Sequence, residues 1–239
     1  MRKKNNAILA LDTSEEPLKL ALLSGEKITA ASRRGIKQEH YLFTLLDKML
    51  SAAALELKDI KQICVLRGPG RFTGIRIGLT FASVMKQLNN CKISSATTLE
   101  ALAHQTASKP DFRRWKKKNP GGLTACVMHA FRQEFFCQLF DSGGYEVKSA
   151  GPPLWLSGDE LKGYLVNIKR PLYCIGWAEK HSSLENTVPA HLRLAPRNIC
   201  RLAPSSLISI ARLKRSESGA LRPLYLKPAR FELISAGKA

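Results

Sequence analysis

Arg67 to Leu79 reads R-G-P-G-R-F-T-G-I-R-I-G-L, between an apolar run ending at Leu66 and another from Ile75 to Leu88. That order is strand, glycine-rich turn, helix. Such a turn aims backbone N–H groups and a helix N-terminus at one point, which suits an anion. It also lets the helix lie close to its neighbours, because glycine has no side chain to hold them apart. Neither common nucleotide cradle fits. A P-loop carries G-x-x-x-x-G-K-[ST], but Ile75-Arg76 follows Gly74. The dinucleotide fingerprint is G-x-G-x-x-G, and Gly68, Gly70 and Gly74 are spaced one residue too far.

Other candidate groups are few. Asp12 ends the first apolar run and is followed by Thr13 and Ser14, two hydroxyls beside a carboxylate. Asp12, Thr13, Gly68 and Gly70 are the candidate nucleotide or anion ligands. Arg67, Arg71 and Arg76 surround the expected helix start and would attract an anion or an acidic partner. His40 could act as a base, but no recognised motif sets a nucleophile beside it. The five histidines form no H-x-x-x-H or H-E-x-x-H pattern, and the six cysteines form no C-x-x-C pair. The cysteines read as reduced, buried thiols. No residue is assigned a catalytic or metal-ligating role.

The elements that must position these groups follow from periodicity. Residues 7–11, 19–23 and 27–32 read as strands, then 39–55 as a helix with Leu42, Leu45, Leu46, Met49 and Leu50 on one face. Strand 60–66, helix 73–88, strand 92–96 and helix 98–106 complete the first half, with Thr97 as N-cap. In the second half 123–128 and 134–140 read as a hairpin, and Gly143-Gly144 as a turn into another short strand. Helix 157–165, strand 172–175 and helix 204–213 follow. The expected organisation is an N-terminal subdomain 1–108, a basic linker 109–122 and a divergent C-terminal subdomain 123–239.

The helix after the glycine loop carries Gly74, Gly78 and Ala82 at i, i+4 and i+8, a smooth stripe against which another helix can close. Apolar residues cover most of its remaining circumference, so it must be covered on nearly all sides. His40, Tyr41, Phe43, Met49, Gly74, Arg76, Gly78, Phe81 and Ala82 are the candidate partner interface. The 239 residues are 44% hydrophobic, ample for a core. Lys plus Arg number 38 against 19 acidic residues, a formal charge of +19. That excess favours polyanions, RNA foremost. Arg113, Arg114, Trp115, Lys116, Lys117 and Lys118 put five cations and a ring into six positions, a candidate single-stranded RNA contact. The apolar run 7–11 is too short for a signal peptide or a membrane span, so the chain reads as cytoplasmic.

Five ordered blocks resemble the TsaB (YeaZ) family of bacterial tRNA threonylcarbamoyladenosine biosynthesis. They are I-L-A-L-D-T-S at 8–14, Glu39-His40, the glycine loop, T-L-E-A-L-A at 98–103 and P-L-Y-L-K at 223–227. The likeness is strong over 7–105. It implies an α/β, actin-like ATPase (ASKHA, Hsp70/sugar-kinase-like) fold of two related subdomains. It also implies an accessory, non-catalytic subunit that binds and activates a TsaD-like transferase through helices 39–55 and 73–88. A TsaE-like ATPase and tRNA would join within the complex, and a homodimer could form in isolation. No cofactor is required of the chain itself, with ATP or ADP bound only in the assembled complex. The family usually reads I-D-A-R-x-G-E where this chain has V-M-H-A-F-R-Q-E at 127–134, so His129, Phe131 and Gln133 depart from it. That weakens a stand-alone ATP-binding enzyme. A basic tRNA-binding protein with no transferase partner is the other reading.

Overall fold

The structure, a computed structural model, describes residues 6–35, 38–143, 147–177, 188–189, 192–214, 216 and 219–227. Strands β1 (Ala7–Asp12) and β2 (Leu18–Ser24) are apolar at nearly every position and buried on both faces. They form a hairpin in which Asp12 stands directly opposite Lys19. Strand β3 (Lys27–Arg33) extends the hairpin as a largely exposed edge. Helix α1 (Gln38–Ala52) returns the chain to β4 (Ile60–Leu66), and α2 (Phe72–Asn89) to β5 (Lys92–Ala96). Both strands run parallel to β1, giving the order β3-β2-β1-β4-β5.

The second half uses the same plan. Strands β6 (Leu123–His129) and β7 (Glu134–Asp141) form the hairpin, extended by β8 (Lys148–Ser149) and β9 (Leu154–Ser157). Helix α5 (Gly158–Asn167) leads to β10 (Leu172–Trp177), parallel to β6, and β11 (Arg193–Leu194) is parallel to β10. The order β11-β10-β6-β7-β8 mirrors the first sheet. Two such lobes make an α/β fold of two related subdomains, as expected. The Gly144 half of the expected Gly143-Gly144 turn lies outside the described residues.

The lobes are joined by helices that belong to both. Helix α3 (Thr98–Ala107) starts with a full capping box, the Thr97 hydroxyl accepting from Glu100 N at 3.0 Å. Its Leu99 and Leu102 pack among Cys126, Met128 and Tyr173 of the second lobe, while Ala101 joins the first. The C-terminal helix α6 (Ser206–Leu213) crosses back, placing Leu207, Ile208 and Ala211 against Ala10, Ala21 and Cys64. On the other face of that sheet, Leu42 and Leu46 of α1 and Ile75 and Leu79 of α2 cover Leu9, Leu11 and Leu20. All six cysteines are buried thiols outside any disulfide, and burial pushes the Cys174 thiol up to about 12.

Two expectations need correction. The 109–122 linker contains helix α4 (Pro110–Lys118), entered through Pro110 in its first turn. Proline is pre-organised for that place, and the buried Phe112 anchors the helix, so the charge run does not leave it a loop. The glycine stripe of α2 also faces inward. A Cβ on Gly78 would lie 2.4 Å from Thr13 Oγ1 and 3.2 Å from Val65 Cγ2. The small residues bring α2 down onto its own sheet, not onto a partner helix. Gly78→Leu should therefore overpack this contact and lower the unfolding free energy by about 3 kcal/mol. Gln87→Leu, on the exposed side of α2, should change it by less than about 0.5 kcal/mol. Denaturant unfolding of the two variants separates them.

Candidate functional site

The corner that could do chemistry lies where β1 ends, the glycine loop turns and α3 begins. Asp12, Thr13 and Ser14 are all wholly buried there. The structure does bring the four candidate ligands together. Arg71 N donates to Ser14 O at 2.6 Å, and Thr98 N donates to Gly68 O at 2.9 Å. Ser14 Oγ lies 3.1 Å from Thr98 Oγ1, closing the ring between β1 and α3.

The corner is full, however, with this chain's own atoms. Lys19 Nζ donates to Asp12 Oδ2 at 2.7 Å, and Ser14 donates to Oδ1 from both N, at 3.0 Å, and Oγ, at 2.6 Å. Lys19 is itself buried, so its ammonium is the resident counter-charge of Asp12. Burial alone would pull the Lys19 pKa down, but the Asp12 and Glu15 carboxylates outweigh it and hold it above its ordinary value. Thr13 Oγ1, which has no hydrogen-bond partner, is pressed against Gly78. Gly68 takes a φ of +100°, which glycine alone adopts without strain, and the Leu224 carbonyl lies where its side chain would be. Asp12 is thus a structural anion with every oxygen engaged, and the donor set around it does not fit a metal ion.

The three arginines do not converge. Arg71 reaches Glu16 at 3.9 Å. Arg76 lies over the Phe72 ring, 3.9 Å from its centre, and its Nε donates to Tyr225 Oη at 3.2 Å. Arg67 is half-buried, and its backbone bonds Ala96 and Leu224. Across the cleft, His129 Nε2 lies 2.6 Å from Arg132 O and its ring meets Phe135 edge-on, so it closes the β6–β7 turn. Phe131 and Gln133 are exposed on that turn.

The segment 223–227, a sequence signature without an assigned role, proves to be part of a strap, 221–227. Leu224 N donates to Arg67 O at 2.7 Å, and Tyr225 stacks on Phe72 at 4.8 Å. Lys227 bonds Glu134 of β7 and stands over the Phe131 and Trp155 rings. A shallow groove of about 380 Å³ runs between the strap and α2, lined by Arg76, Thr80, Val84 and Leu221 among others. No hydrophobic pattern announces a strap, because its contacts are single long-range pairings.

Of the candidate interface residues, Met49, Gly74, Gly78, Phe81 and Ala82 are buried in the chain's own core. This corrects their assignment to a partner surface. His40, Phe43 and Arg76 are exposed, and Tyr41 is half-buried beneath the Arg33 guanidinium. Exposed instead are Phe43 at 62%, Leu88 at 74% and Val84 at 45%. Phe43 meets Phe81 edge-on at 6.0 Å, and Val84 and Leu88 follow Phe81 at i+3 and i+7. They form one apolar strip along α1 and α2. Period-based reading found the two helices but not their rotation, which sheet packing decides.

In the candidate RNA segment, Arg113, Arg114, Lys117 and Lys118 are exposed. Trp115 is not free to stack on a base. It packs on Phe112 and Tyr173 at 5.8 and 5.3 Å and against Gly122. Lys116 donates to Asp141 at 3.0 Å and to Gly122 O at 2.7 Å. The Lys116 hydrogen bond, with that from Arg170 and the charge of both cations, holds the Asp141 carboxyl below its usual range.

Comparison with known proteins agrees with this geometry. The family model described as TsaD, tRNA N6-adenosine threonylcarbamoyltransferase, matches residues 36–152. The tRNA threonylcarbamoyladenosine biosynthesis protein TsaB of Bacillus subtilis is 34% identical over 98 residues, 40% of this chain and 43% of that protein. TsaB of Buchnera aphidicola from Schizaphis graminum is 31% identical over 116 residues, 48% and 52% of the two chains. The chain thus spans about half the length of these relatives. YeaZ from Pseudomonas aeruginosa superposes with a TM-score of 0.69 at 20% identity, over 92% of this chain and all of that one. That likeness shows the fold.

Removing the resident cation should leave Asp12 buried and unpaired. Lys19→Met is expected to lower stability by about 3–5 kcal/mol, and Asp12→Asn in the same chain to restore part of it. The raised Lys19 pKa adds stability that is complete below the unfolded value of 10.5 and is lost as pH rises through the folded value. Unfolding of the native chain should therefore acquire an alkaline slope above about pH 10.5 that Lys19→Met lacks, read by denaturant titration at stepped pH.

Proposed function

The chain belongs to the TsaB (YeaZ) family, and from that premise we propose that it serves tRNA threonylcarbamoyladenosine biosynthesis as a non-catalytic accessory subunit. It binds and activates a TsaD-like transferase, with a TsaE-like ATPase and tRNA joining the assembly in the cytoplasm. The observation that carries this reading is the apolar strip Phe43, Val84 and Leu88, exposed on two helices whose buried faces pack on the core. A strip of that kind marks a protein–protein contact. The engaged state of Asp12 supports a scaffold over an enzyme acting alone, because neither of its oxygens is left for a nucleotide's metal. ATP or ADP then binds within the assembled complex. In isolation the same strip would pair with a second copy of the chain.

The test is co-purification with the TsaD-like transferase of the same organism, followed by measurement of modified tRNA with and without this chain. Phe43→Glu with Leu88→Glu should abolish co-purification and lower the modified nucleoside at least ten-fold, while leaving the thermal midpoint within a few degrees of the parent. Recovery of the full complex by that double variant would remove the strip from the interface. Unchanged modification on depletion of the chain would remove the accessory role.

A further inference from the structure

We propose that helix α4 and the second-lobe loops beside it form a docking surface for the phosphate backbone of a folded RNA, an inference that rests on the role in tRNA modification. Arg113 with Lys117, and Arg114 with Lys118, form two i,i+4 rows on the outer face of a nine-residue helix. Asp111 is shared between Arg114 at 3.8 Å and Arg193 at 3.3 Å, and also accepts from Tyr173 Oη at 2.6 Å. Asp141 is shared between Lys116 and Arg170, at 3.0 and 3.3 Å. The two carboxylates therefore tie cations of the second lobe to those of α4, extending the positive surface past both ends of the helix. Phe112, Trp115 and Tyr173 form an aromatic base beneath it, so the helix is a rigid platform.

Packing uses the outer cations little: Arg113 Nε donates to Ala107 O at 3.3 Å and Arg114 reaches Asp111 at 3.8 Å, both from exposed side chains. Lysines in the last turn suit the helix dipole, but Arg113 and Arg114 precede it, and like charges at i,i+4 repel. An element that breaks a local rule in this way is where function is expected. The class of partner follows from what α4 lacks. Phe112 is buried and Trp115 is packed, so the outer face offers no apolar side chain to enter a lipid layer or form a dry protein interface. Charge without apolar area suits a nucleic-acid backbone, whose binding is driven by counterion release. A helix of this length spans about 14 Å, enough to meet several phosphates of a duplex.

The test measures binding of the full chain to folded tRNA by fluorescence anisotropy at stepped salt. The variant Arg113→Gln/Arg114→Gln/Lys117→Gln/Lys118→Gln is compared with Lys27→Gln/Lys61→Gln/Lys92→Gln/Lys162→Gln, which removes the same charge elsewhere. The α4 variant should bind about ten-fold or more weakly at about 0.1 M salt, with a log–log salt slope flatter by about 3–4, and the control less than about three-fold weakly. Circular dichroism should show both folded. Equal weakening in the two variants would overturn the proposal, as would α4-dependent binding to anionic phosphatidylglycerol vesicles with tRNA affinity unchanged. Weakened tRNA binding by the α4 variant in cells whose tRNA modification does not need this chain would support the surface and remove the accessory role. Modification that needs the chain, with tRNA affinity unaffected by the α4 variant, would overturn the surface alone.

Discussion

The buried ion pair of Asp12 and Lys19 is the constraint around which the rest is arranged. A carboxylate and an ammonium in the interior are tolerable only with close geometry and satisfied neighbours. The hairpin register supplies the geometry by setting the two residues opposite one another. Ser14 satisfies the remaining carboxylate oxygen and links it to Thr98 at the start of α3. The glycine loop must then pass over a corner already filled. Gly70 and Gly78 let it do so, since a side chain at either would strike Ser14 or Thr13. The loop is glycine-rich because it closes over protein.

The legible parts were those whose signal is local. The mostly apolar run 123–128, the helical period of 39–55 and the Thr97 capping box depend on residues within a turn or two of one another, and each element formed close to its expected limits. The Gly74, Gly78 and Ala82 stripe was legible as a close approach but not as to what is approached. A stripe looks the same whether it meets another helix or a sheet. Helix α4 was hidden for another reason. Its only buried residue is Phe112, and the partner that makes Phe112 a core residue, Tyr173, lies about sixty positions away. No period reveals a helix held by such distant contacts.

The repeat between the lobes explains how so different a second half keeps the fold. Each hairpin's first strand takes an antiparallel neighbour on one side and a parallel one on the other. That arrangement constrains backbone direction and apolar content, not side-chain identity. The β6–β7 turn can therefore carry His129 and Phe131 where the related family usually has other residues. His129 closes its own hairpin turn, so the change is absorbed locally.

The strap gives the two lobes a second connection besides α3. Tyr225 is held on the first lobe by Phe72 and Arg76, and Lys227, two residues on, is held on the second by Glu134. Two neighbouring side chains of one short segment thus bridge the two lobes. With α3 also packed on both lobes, hinge motion about either connection alone would strain the other. An enzyme of this architecture that opens and closes on a nucleotide would need such a hinge free. A scaffold that presents α1, α2 and α4 in fixed relation to one another needs it locked.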